Sequence, residues 1–589
     1  MADGRSGPVL SSAQAAAYEV LCKRFAGLPV EPLNRAQVSE ITSSEGAVGW
    51  RVGLAEDHSG QRRELCFVLP ASFPVARPLV AVRPSAYHVW PHCGPDGDLC
   101  LWRSGEAPQG DDPAGHMQQV LEQVGRILGL LFPQPNATAV REHFEREWQH
   151  YWQPPVEKVR LARCHGYLLS DAPGTVETQA FCSERGSSQF VLIGGSDDAR
   201  SRWDRALGVA ERSIHSAHAL VVQLAQAPIG APANITELRE LLAQENPNAA
   251  RLLERRLAGG GSPVFVCFRV GDERTTYAGL RLIALRDLKP LNYVHGAKAQ
   301  HAQREQRRIV GWRVDTVSVE RADAAWVHGR GFDEEAAVLR SKHVVVVGAG
   351  SLGGLVAQAL AHAGVGQLTI VDPEDLVPAN LGRHVLSARH LQRPKATALA
   401  EDIGAQLPHA RVNGARKRYQ SFDLLQSEAT PDLVVSTTAD WPTDKHLMDQ
   451  HAAGSLPAIQ LAWAEPHAVA GHSLLAADKS DRPIWLFDDA GGFTRAATRW
   501  TRAKFVLPGC AGYHQPSTFN RLQKISAMAV EQAVQYLTGL RAQSEHVTWF
   551  GDELVLTRLG GSWTDPSPRA GKPRECVEVC TLPTEIVPA

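Results

Sequence analysis

Apolar residues recur along this chain at two spacings, one typical of helices and the other of strands. In the first quarter of the chain these spacings alternate and predict, in order, helix, strand, strand, helix and helix. The predicted elements cover residues 13–25, 48–54, 65–69, 117–132 and 141–152. Prolines between residues 70 and 91 predict an extended or turning segment before the later helices. Pro154 and Pro155 end the pattern, so we place a first domain of α+β class at residues 1–155.

The middle stretch, residues 156–330, combines strand-like runs with helical and glycine-rich segments. Its strands are predicted over residues 189–193, 219–224 and 264–269. The run VLIGGSDD is similar to the end of a nucleotide-binding first strand, but it lacks the spaced glycines and downstream acid that such a pocket needs. We therefore interpret this run as structural and the middle domain as α/β.

The third stretch, residues 331–589, has the sharpest pattern. An all-apolar strand over 344–347 leads into a GxGxxG loop and a helical run over 355–363, and a second strand follows over 367–372. The loop glycines are Gly348, Gly350 and Gly353. Asp372 comes nineteen residues after the last of them, where a carboxylate can bind ribose hydroxyls in a βαβ unit. This pattern predicts a Rossmann-like nucleotide site.

Polar and basic residues after the second strand narrow the chemistry. Asn380, Arg383 and Lys395 bring groups suited to phosphate, which nicotinamide chemistry would not require. Asp440 follows a strand predicted over 433–438 and could hold Mg²⁺. Taken singly, Arg383 could instead form a surface salt bridge and Asp440 could be a helix N-cap.

Charge and composition limit the partners. The chain has 61 Lys and Arg against 63 Asp and Glu, so no strong field favours nucleic acid or an anionic membrane. No basic leader precedes an apolar segment, and no apolar run is long enough to cross a membrane. We expect a soluble, cytoplasmic protein without nucleic-acid or membrane partners.

Ten scattered cysteines argue against a disulfide framework and for individual thiols. Cys100 and Cys510 lie beside glycines and prolines in predicted loops, where a thiol can be exposed and reactive. His514 could help to deprotonate the second of them. The other cysteines fit inert positions; Cys22, Cys66 and Cys267 lie in predicted helices or strands, and Cys93 is close enough to Cys100 to confuse the assignment.

Two further groups could suggest a metal. Cys576 and Cys580 are four residues apart but have no second pair of ligands, so we interpret them as strand residues. His88 and His92 likewise have no completing partners at a suitable spacing. We assign no structural metal.

About residues 330–545 resemble the ThiF family of adenylating enzymes, which includes the ubiquitin-activating enzymes. The resemblance implies that Gly348, Gly350, Gly353 and Asp372 bind ATP, that Asn380, Arg383 and Lys395 contact phosphates, and that Asp440 coordinates Mg²⁺. His384 departs from the glutamine usual in the family. Activating enzymes that form thioesters carry a cysteine in a region like that of Cys510, which precedes a helix predicted over 519–537.

The N-terminal domain resembles ubiquitin-conjugating enzymes. Gly97, Leu99, Cys100 and Leu101 reproduce the context of that family's active cysteine. The family's His-Pro-Asn triplet becomes Trp90, Pro91 and His92. The missing asparagine is credited with supporting the loop or the oxyanion formed during lysine attack, and a histidine could donate similarly.

Fusions of this kind resemble the enzymes of bacterial CBASS antiphage operons. The resemblance implies that the C-terminal carboxylate of a cGAS-like nucleotidyltransferase is adenylated, captured on Cys510, passed to Cys100 and joined to a lysine of a target. It also implies a degenerate adenylation-like middle domain and a homodimer. Arg330 and Arg340 are candidates for an arginine supplied across the dimer, and the conjugating domain must either swing or serve a partner protomer.

Three alternatives stay open. The same relay could act on a bacterial ubiquitin-like protein. A nicotinamide-dependent oxidoreductase would need only the GxGxxG loop and Asp372. A noncatalytic scaffold could bind ATP as a structural ligand, without pyrophosphate exchange.

Overall fold

The computed structural model describes most of the chain. The described residues are 10–102, 112–152, 163–171, 173–185, 188–209, 214–259, 263–271, 275–285, 311–422, 430–501, 505–506, 513–564 and 575–582.

The α-helices of the described ranges follow the predicted helices and add several that the sequence pattern did not resolve. They are α1 (Ser12–Arg24), α2 (Arg35–Ser39), α3 (Pro113–Leu131), α4 (Ala137–Tyr151), α5 (Asp197–Ala206), α6 (Ile235–Glu245), α7 (Pro247–Ala258), α8 (Ala324–Val327), α9 (Glu334–Leu339), α10 (Ser351–Ala363), α11 (Lys395–Gln406), α12 (Trp441–Ala452), α13 (Phe519–Leu537) and α14 (Glu553–Arg558).

The β-strands of the same ranges include every strand predicted from the sequence. They are β1 (Val30–Pro32), β2 (Val48–Glu56), β3 (Arg62–Leu69), β4 (Leu79–Arg83), β5 (Arg163–Leu168), β6 (Val176–Arg185), β7 (Ser188–Ile193), β8 (His215–Leu224), β9 (Val264–Val270), β10 (Thr276–Ala284), β11 (Trp312–Arg321), β12 (His343–Val347), β13 (Gln367–Val371), β14 (Arg411–Ala415), β15 (Leu433–Ser436), β16 (Ala458–Ala464), β17 (Ala470–Ala476), β18 (Thr498–Trp500), β19 (Phe505–Val506), β20 (Tyr513–His514), β21 (Glu545–Phe550), β22 (Gly561–Trp563) and β23 (Cys576–Thr581).

The chain divides into two compact units. The first takes in residues 1–167, 172–194 and 215–320, and the second takes in 168–171, 195–214 and 321–589. Each unit has its own apolar core and is described by itself.

A four-stranded antiparallel sheet, in the order β1-β2-β3-β4, begins the first unit. Helices α1 and α3 cover it with a common core, because α3 repeats apolar residues on one face. Met117, Val120 and Val124 of that face are almost fully buried. The predicted α+β arrangement is confirmed for this segment.

The middle segment forms a closed barrel in the order β10-β11-β5-β7-β6-β8-β9. Its neighbours pair antiparallel in β6–β7, β6–β8, β9–β10 and β10–β11, and parallel in β8–β9. This corrects the expected adenylation-like fold of the segment, since a Rossmann-type sheet is open and mostly parallel. Strand β7 begins three residues after the end of β6, which leaves no room for the crossover helix that parallel neighbours require.

Helix α4 joins the core of the barrel. Its residues Phe144, Trp148 and Tyr151 are buried in a cluster with barrel residues such as Phe268 and Leu280. The indole nitrogen of Trp148 donates to Thr276 Oγ1 in strand β10. The helix is therefore held rigidly on one side, and its other side faces the N-terminal segment.

An eight-stranded sheet forms the second unit, in the order β14-β13-β12-β15-β16-β17-β21-β23. The strands from β14 to β16 are parallel, and the remaining pairs are antiparallel. The order reverses at β12, whose neighbours are β13 and β15, so the carboxyl end of β12 is a topological switch point. The predicted Rossmann-like fold is confirmed for this segment.

The search for membrane-spanning helices covered the described residues. None of the helices there combines enough length and apolar character to span a bilayer.

Candidate functional site

The glycine-rich loop turns between β12 and α10 at the switch point. Gly348 adopts φ +94°, a conformation that favours glycine. A β-carbon on Gly353 would lie 1.9 Å from the Gly348 carbonyl oxygen, so the helix can approach the loop only if this residue is glycine. Thr437 supports the same carbonyl from the end of β15, because its hydroxyl donates to Gly348 O at 2.9 Å. The loop is therefore fixed by close backbone packing and by a side-chain hydrogen bond.

A cavity of about 290 Å³ opens at this loop. Its lining includes Gly348, Gly350, Asp372, Lys417, Gln420 and Asp440. The first turn of α10 begins at Ser351, with Gly350 as its N-cap. Unpaired backbone N–H groups at a helix N-terminus bind anions, so phosphate groups suit this end of the cavity.

Asp372 is buried at the base of the cavity. One carboxylate oxygen accepts from the Ala349 N–H and the other from the Glu374 N–H, both at 2.7 Å. Burial raises the pKa of Asp372, and the two backbone N–H groups oppose that rise. The Asp372 carboxylate is thus held in one orientation by one N–H group of the glycine-rich loop and one N–H group of the segment after β13.

Two basic residues lie around the glycine-rich loop. The Arg383 Nε donates to Ser351 Oγ at 3.0 Å, which places the guanidinium at the first turn of α10. Lys395 is 4% exposed, and its ammonium pairs with the exposed carboxylate of Glu374 at 2.5 Å. A buried lysine whose partner is an exposed carboxylate can exchange that partner for an anionic ligand.

Asn380 is not among the residues that line the cavity. Its side-chain oxygen accepts from the Val377 N–H at 3.1 Å and so holds the turn at 378–380. Its predicted contact with phosphate stays a prediction.

His384, the departure from the family glutamine, is buried against the loop. Its Nδ1 accepts from the Leu386 N–H at 3.0 Å, so the proton lies on Nε2, which donates to Ala349 O at 2.7 Å. Burial lowers the pKa of His384 and keeps the ring neutral. A neutral imidazole thus provides one donor and one acceptor, as a glutamine amide would.

Asp440 lies exposed at the rim of the cavity and is also the N-cap of α12. Its Oδ2 accepts from the Thr443 N–H at 3.2 Å and from the Thr443 hydroxyl at 2.7 Å. Asp440 is therefore an N-cap, as one interpretation of the sequence predicted, and it also lines the cavity, where its second oxygen is not used by the cap. Mg²⁺ is commonly held by one or two carboxylates together with substrate phosphates, which this rim position fits.

Sequence reasoning missed several residues at this site. Lys417 and Gln420 line the cavity just after β14, and Arg418 lies between them. Asp444 lies one turn into α12, where it accepts from the hydroxyls of Ser436 and Thr438. The signal that could have found these residues is their position just after strands of the parallel sheet, because the carboxyl ends of parallel strands meet at one edge of the sheet.

Cys510, the expected first thioester cysteine, lies outside the described residues. The short strands β19 and β20 on either side of it pair antiparallel, with Phe505 opposite His514.

Cys100 is exposed, whereas Cys93 is 1% exposed. Burial raises the pKa of the Cys93 thiol to about 11, which disfavours its thiolate. Of the two thiols, Cys100 is therefore the one that solvent can reach, and its role as the thioester cysteine stays a prediction. Partial burial also raises the pKa of Cys100, and the negative charges of Glu147 and Asp98 add to that rise.

His92 lies beside Cys100 with φ +62°. Its carbonyl oxygen accepts from the Cys100 N–H at 2.8 Å, which ties the two residues together. The ring contacts α4, with Nδ1 2.8 Å from Glu147 Oε1 and Nε2 2.7 Å from His143 Nδ1. Both ring nitrogens are thus engaged, so the ring could donate to an oxyanion only by giving up one of these contacts.

The remaining cysteine and histidine predictions have simpler outcomes. Cys576 and Cys580 lie on strand β23, as predicted. Cys66 and Cys267 are buried in strands. The ring of His88 lies 3.3 Å from the backbone oxygen of Tyr151. Within the described ranges, no group of three or more His, Cys, Asp or Glu side chains is arranged to hold a metal ion.

Comparison with known proteins gives a consistent picture. The ThiF family matches residues 329–475 and the Prokaryotic E2 family B matches residues 31–160. The chain is similar to an "ATP-dependent ubiquitin transferase-like protein Cap2" of Pseudomonas aeruginosa, at 22% identity over 482 residues, 78% of this chain and 82% of that protein.

Two further relatives match less of the chain. A protein of the same name from Escherichia coli is 24% identical over 61% of this chain and 64% of its own length. A molybdopterin-synthase adenylyltransferase of Salmonella typhimurium is 34% identical over 18% of this chain and 45% of its own length. The predicted resemblance of the two ends of the chain to a conjugating and an adenylating enzyme is confirmed.

Proposed function

From the presence in one chain of a ThiF family domain and a Prokaryotic E2 family B domain, we propose a conjugating enzyme driven by ATP. It activates the C-terminal carboxylate of a protein and joins it to an amine. The observation that carries this proposal is the cavity at the switch point, where a helix N-terminus, a fixed carboxylate and nearby basic groups converge. Phosphate chemistry needs this combination, and nicotinamide chemistry does not.

In the proposed first step, the substrate carboxylate attacks the α-phosphate of ATP and pyrophosphate leaves. Asp372 binds the ribose, and the N-terminus of α10 receives the phosphates. Lys395 and Arg383 stabilise the charge that develops on the phosphoryl oxygens. Asp440 would hold Mg²⁺, which when bound neutralises charge on the phosphates.

In the proposed later steps, the acyl group moves from AMP to sulfur and then between two sulfurs. The Cys510 thiolate displaces AMP, and the Cys100 thiolate then displaces that of Cys510. A lysine amine of a target finally displaces the Cys100 thiolate, and an amide forms. Exchange between two thiols of similar pKa is nearly thermoneutral, so ATP cleavage supplies the drive.

The proposal assigns the E2-like part to 1–155, the middle domain to 156–330 and the adenylating part to 331–589. The proposed acyl donor is a cGAS-like nucleotidyltransferase, which the resemblance to the CBASS enzymes implies. A ubiquitin-like protein is the alternative donor for the same relay. The proposed assembly is a homodimer in which Arg330 or Arg340 reaches the site of the partner.

Two measurements test the proposal in sequence. Pyrophosphate exchange into ATP, with and without a candidate donor, reports adenylation. Intact-protein mass spectrometry then follows thiol-labile adducts in the wild type and in Cys510→Ala and Cys100→Ala. We expect Cys510→Ala to abolish every adduct and Cys100→Ala to retain one, whereas Cys580→Ala, an exposed strand cysteine, serves as the matched control.

The outcomes separate the alternatives. Adducts that persist in Cys510→Ala would contradict the order of the relay. Adenylation without any thioester would favour a simple adenylating enzyme. ATP binding without exchange for any donor would favour the scaffold.

A further inference from the structure

Three polar side chains of α4 lie on the face that meets the loop preceding Cys100. His143, Glu147 and Tyr151 are spaced four residues apart and so share one side of the helix. The Tyr151 hydroxyl accepts from the His92 N–H at 2.9 Å and donates to Glu147 Oε2 at 3.3 Å. His92 therefore contacts all three residues, through its backbone and both ring nitrogens.

These contacts define where the protons lie. An ionised carboxylate only accepts hydrogen bonds, so the His92 Nδ1 that faces Glu147 carries a proton. In a neutral His92 ring, Nε2 then accepts from the Nδ1–H of His143. This tautomer leaves the lone pair of His143 on Nε2, for which the described residues provide no hydrogen-bond partner.

The resulting hydrogen-bond network runs from the Glu147 carboxylate through the His92 imidazole to the His143 imidazole. The His92 and His143 rings meet nearly at right angles, at 77°, with centroids 4.9 Å apart. His143 is only partly buried, so its side chain reaches solvent beside the cysteine loop. The hydrogen bond from the Cys100 N–H to the His92 carbonyl oxygen fixes this hydrogen-bond network beside the cysteine.

We infer that His143 is the general base that takes the proton from the acceptor amine when it attacks the acyl group on Cys100. His92 and Glu147 are positioning residues that hold His143 in the required tautomer. This inference rests on the proposed function. The amine nitrogen bonds to the thioester carbon, its proton moves to His143 Nε2, the carbon–sulfur bond breaks, and Cys100 leaves as the thiolate.

The reaction needs such a base because the nitrogen of the neutral amine becomes positively charged as it bonds to the thioester carbon, and it must lose a proton for the amide to form. Burial lowers the pKa of His143, and the nearby His92 and Arg146 lower it further. Glu147 and Glu142 oppose this effect. The net direction leaves His143 neutral at pH 7 and able to accept a proton.

A small acyl probe tests the inference without ATP or a protein donor. The full chain, carrying Cys510→Ala and Cys580→Ala, is charged with the mercaptoethanesulfonate thioester of N-acetylglycine. Peptide mass spectrometry verifies the acyl group on Cys100. The charged protein is then mixed with L-lysine or with hydroxylamine, and loss of the thioester is timed from pH 5 to pH 9.

We expect His143→Gln to slow discharge to lysine by roughly 100-fold at pH 7, the lower range of general-base effects. Hydroxylamine is a weaker base than lysine, so its adduct loses the proton readily to water, and its rate should change by less than about twofold, well below a general-base effect. The variant should also lose the inflection that titration of His143 gives the lysine profile on its acid side. Glu147→Gln should slow lysine discharge by about 10-fold, a partial loss of the same effect.

Glu145→Gln is the matched control, because it removes a carboxylate of the same helix that pairs with Arg141, and it should leave both rates unchanged. A lysine rate that survives His143→Gln would overturn the inference, and so would an equal slowing of lysine and hydroxylamine. Failure of pyrophosphate exchange would count against the proposed function alone, since the probe bypasses adenylation.

Discussion

Two histidines replace family residues at the two sites of this chain, and they are used in opposite ways. His384 is buried, and both of its ring nitrogens contact backbone groups. His92 is partly exposed, and both of its ring nitrogens contact ionisable side chains. The first substitution preserves a donor and an acceptor, whereas the second inserts a residue into a proton-exchanging chain.

The difference shows how each site is organised. At the nucleotide cavity, His384 contacts only backbone groups of the loop region, so a substitution there must reproduce a hydrogen-bond pattern. The Cys100 site is shaped by side chains from a distant helix, so a substitution there changes chemistry. The two replacements of family residues thus differ in kind, because His384 preserves a structural contact and His92 alters the chemistry of its site.

The largest effect should follow from disturbing the backbone of the nucleotide site. Gly353→Ala places a β-carbon 1.9 Å from Gly348 O, which forces the loop and α10 apart. We expect pyrophosphate exchange to fall by at least about 100-fold, since displacements of this size misplace reacting groups. Gly404→Ala, in helix α11, meets no atom within 4 Å and is the control. Equal activities of the two variants would contradict a backbone-shaped site.

Returning His92 to the family residue should harm the cysteine site. The shorter asparagine of His92→Asn cannot contact both Glu147 and His143, so we expect discharge of the Cys100 thioester to lysine to slow by about 10-fold. His88→Asn is the control, because His88 has a similar backbone conformation, with φ +61°, and contacts the backbone of the same helix. Discharge that stays equal or becomes faster in His92→Asn would show that the site uses an asparagine-like donor.

Replacing His384 by the family residue should have almost no effect on activity. The amide of His384→Gln can replace the ring's donor and acceptor, so pyrophosphate exchange should remain close to that of the wild type. His384→Ala leaves Ala349 O and the Leu386 N–H unpaired and should lower the free energy of unfolding by about 1–3 kcal/mol. Urea denaturation of His384→Gln and His384→Ala measures the difference in their free energies of unfolding. If the two variants are equally unstable, the glutamine amide does not replace the contacts of the ring.

The last effect is confined to acid pH and concerns a carboxylate beside the nucleotide cavity. Burial raises the pKa of Asp444 to about 6 from its ordinary 3.8. The folded state therefore binds this proton more tightly than the unfolded state. The resulting stability is complete below about pH 4 and is lost as the pH rises through about 6, by at most about 1.4 kcal/mol per pH unit.

Asp444→Asn should remove this dependence from the thermal midpoint between pH 4 and pH 6. Asp449→Asn, which breaks a surface ion pair with Lys445 on the same helix, is the matched control and should keep the wild-type slope. An unchanged slope in Asp444→Asn would show that the carboxylate titrates like an exposed one.

Much of the nucleotide site could be predicted from the sequence, because its signals are local. The apolar strand β12, the glycine spacing and Asp372 lie close together in the chain, and each constrains the conformation of its neighbours. Lys417 and Gln420 were missed because they reach the cavity only through the parallel pairing of β13 and β14.

The sequence by itself determined the order of the two family-like segments, the glycine-rich loop and the candidate cysteines, because short-range spacing and residue type encode them. Only the tertiary structure decided that the middle segment closes into a barrel and that Cys93 is buried. It also decided which face of α4 meets His92. Those properties depend on contacts between residues far apart in the chain, and no local pattern records them.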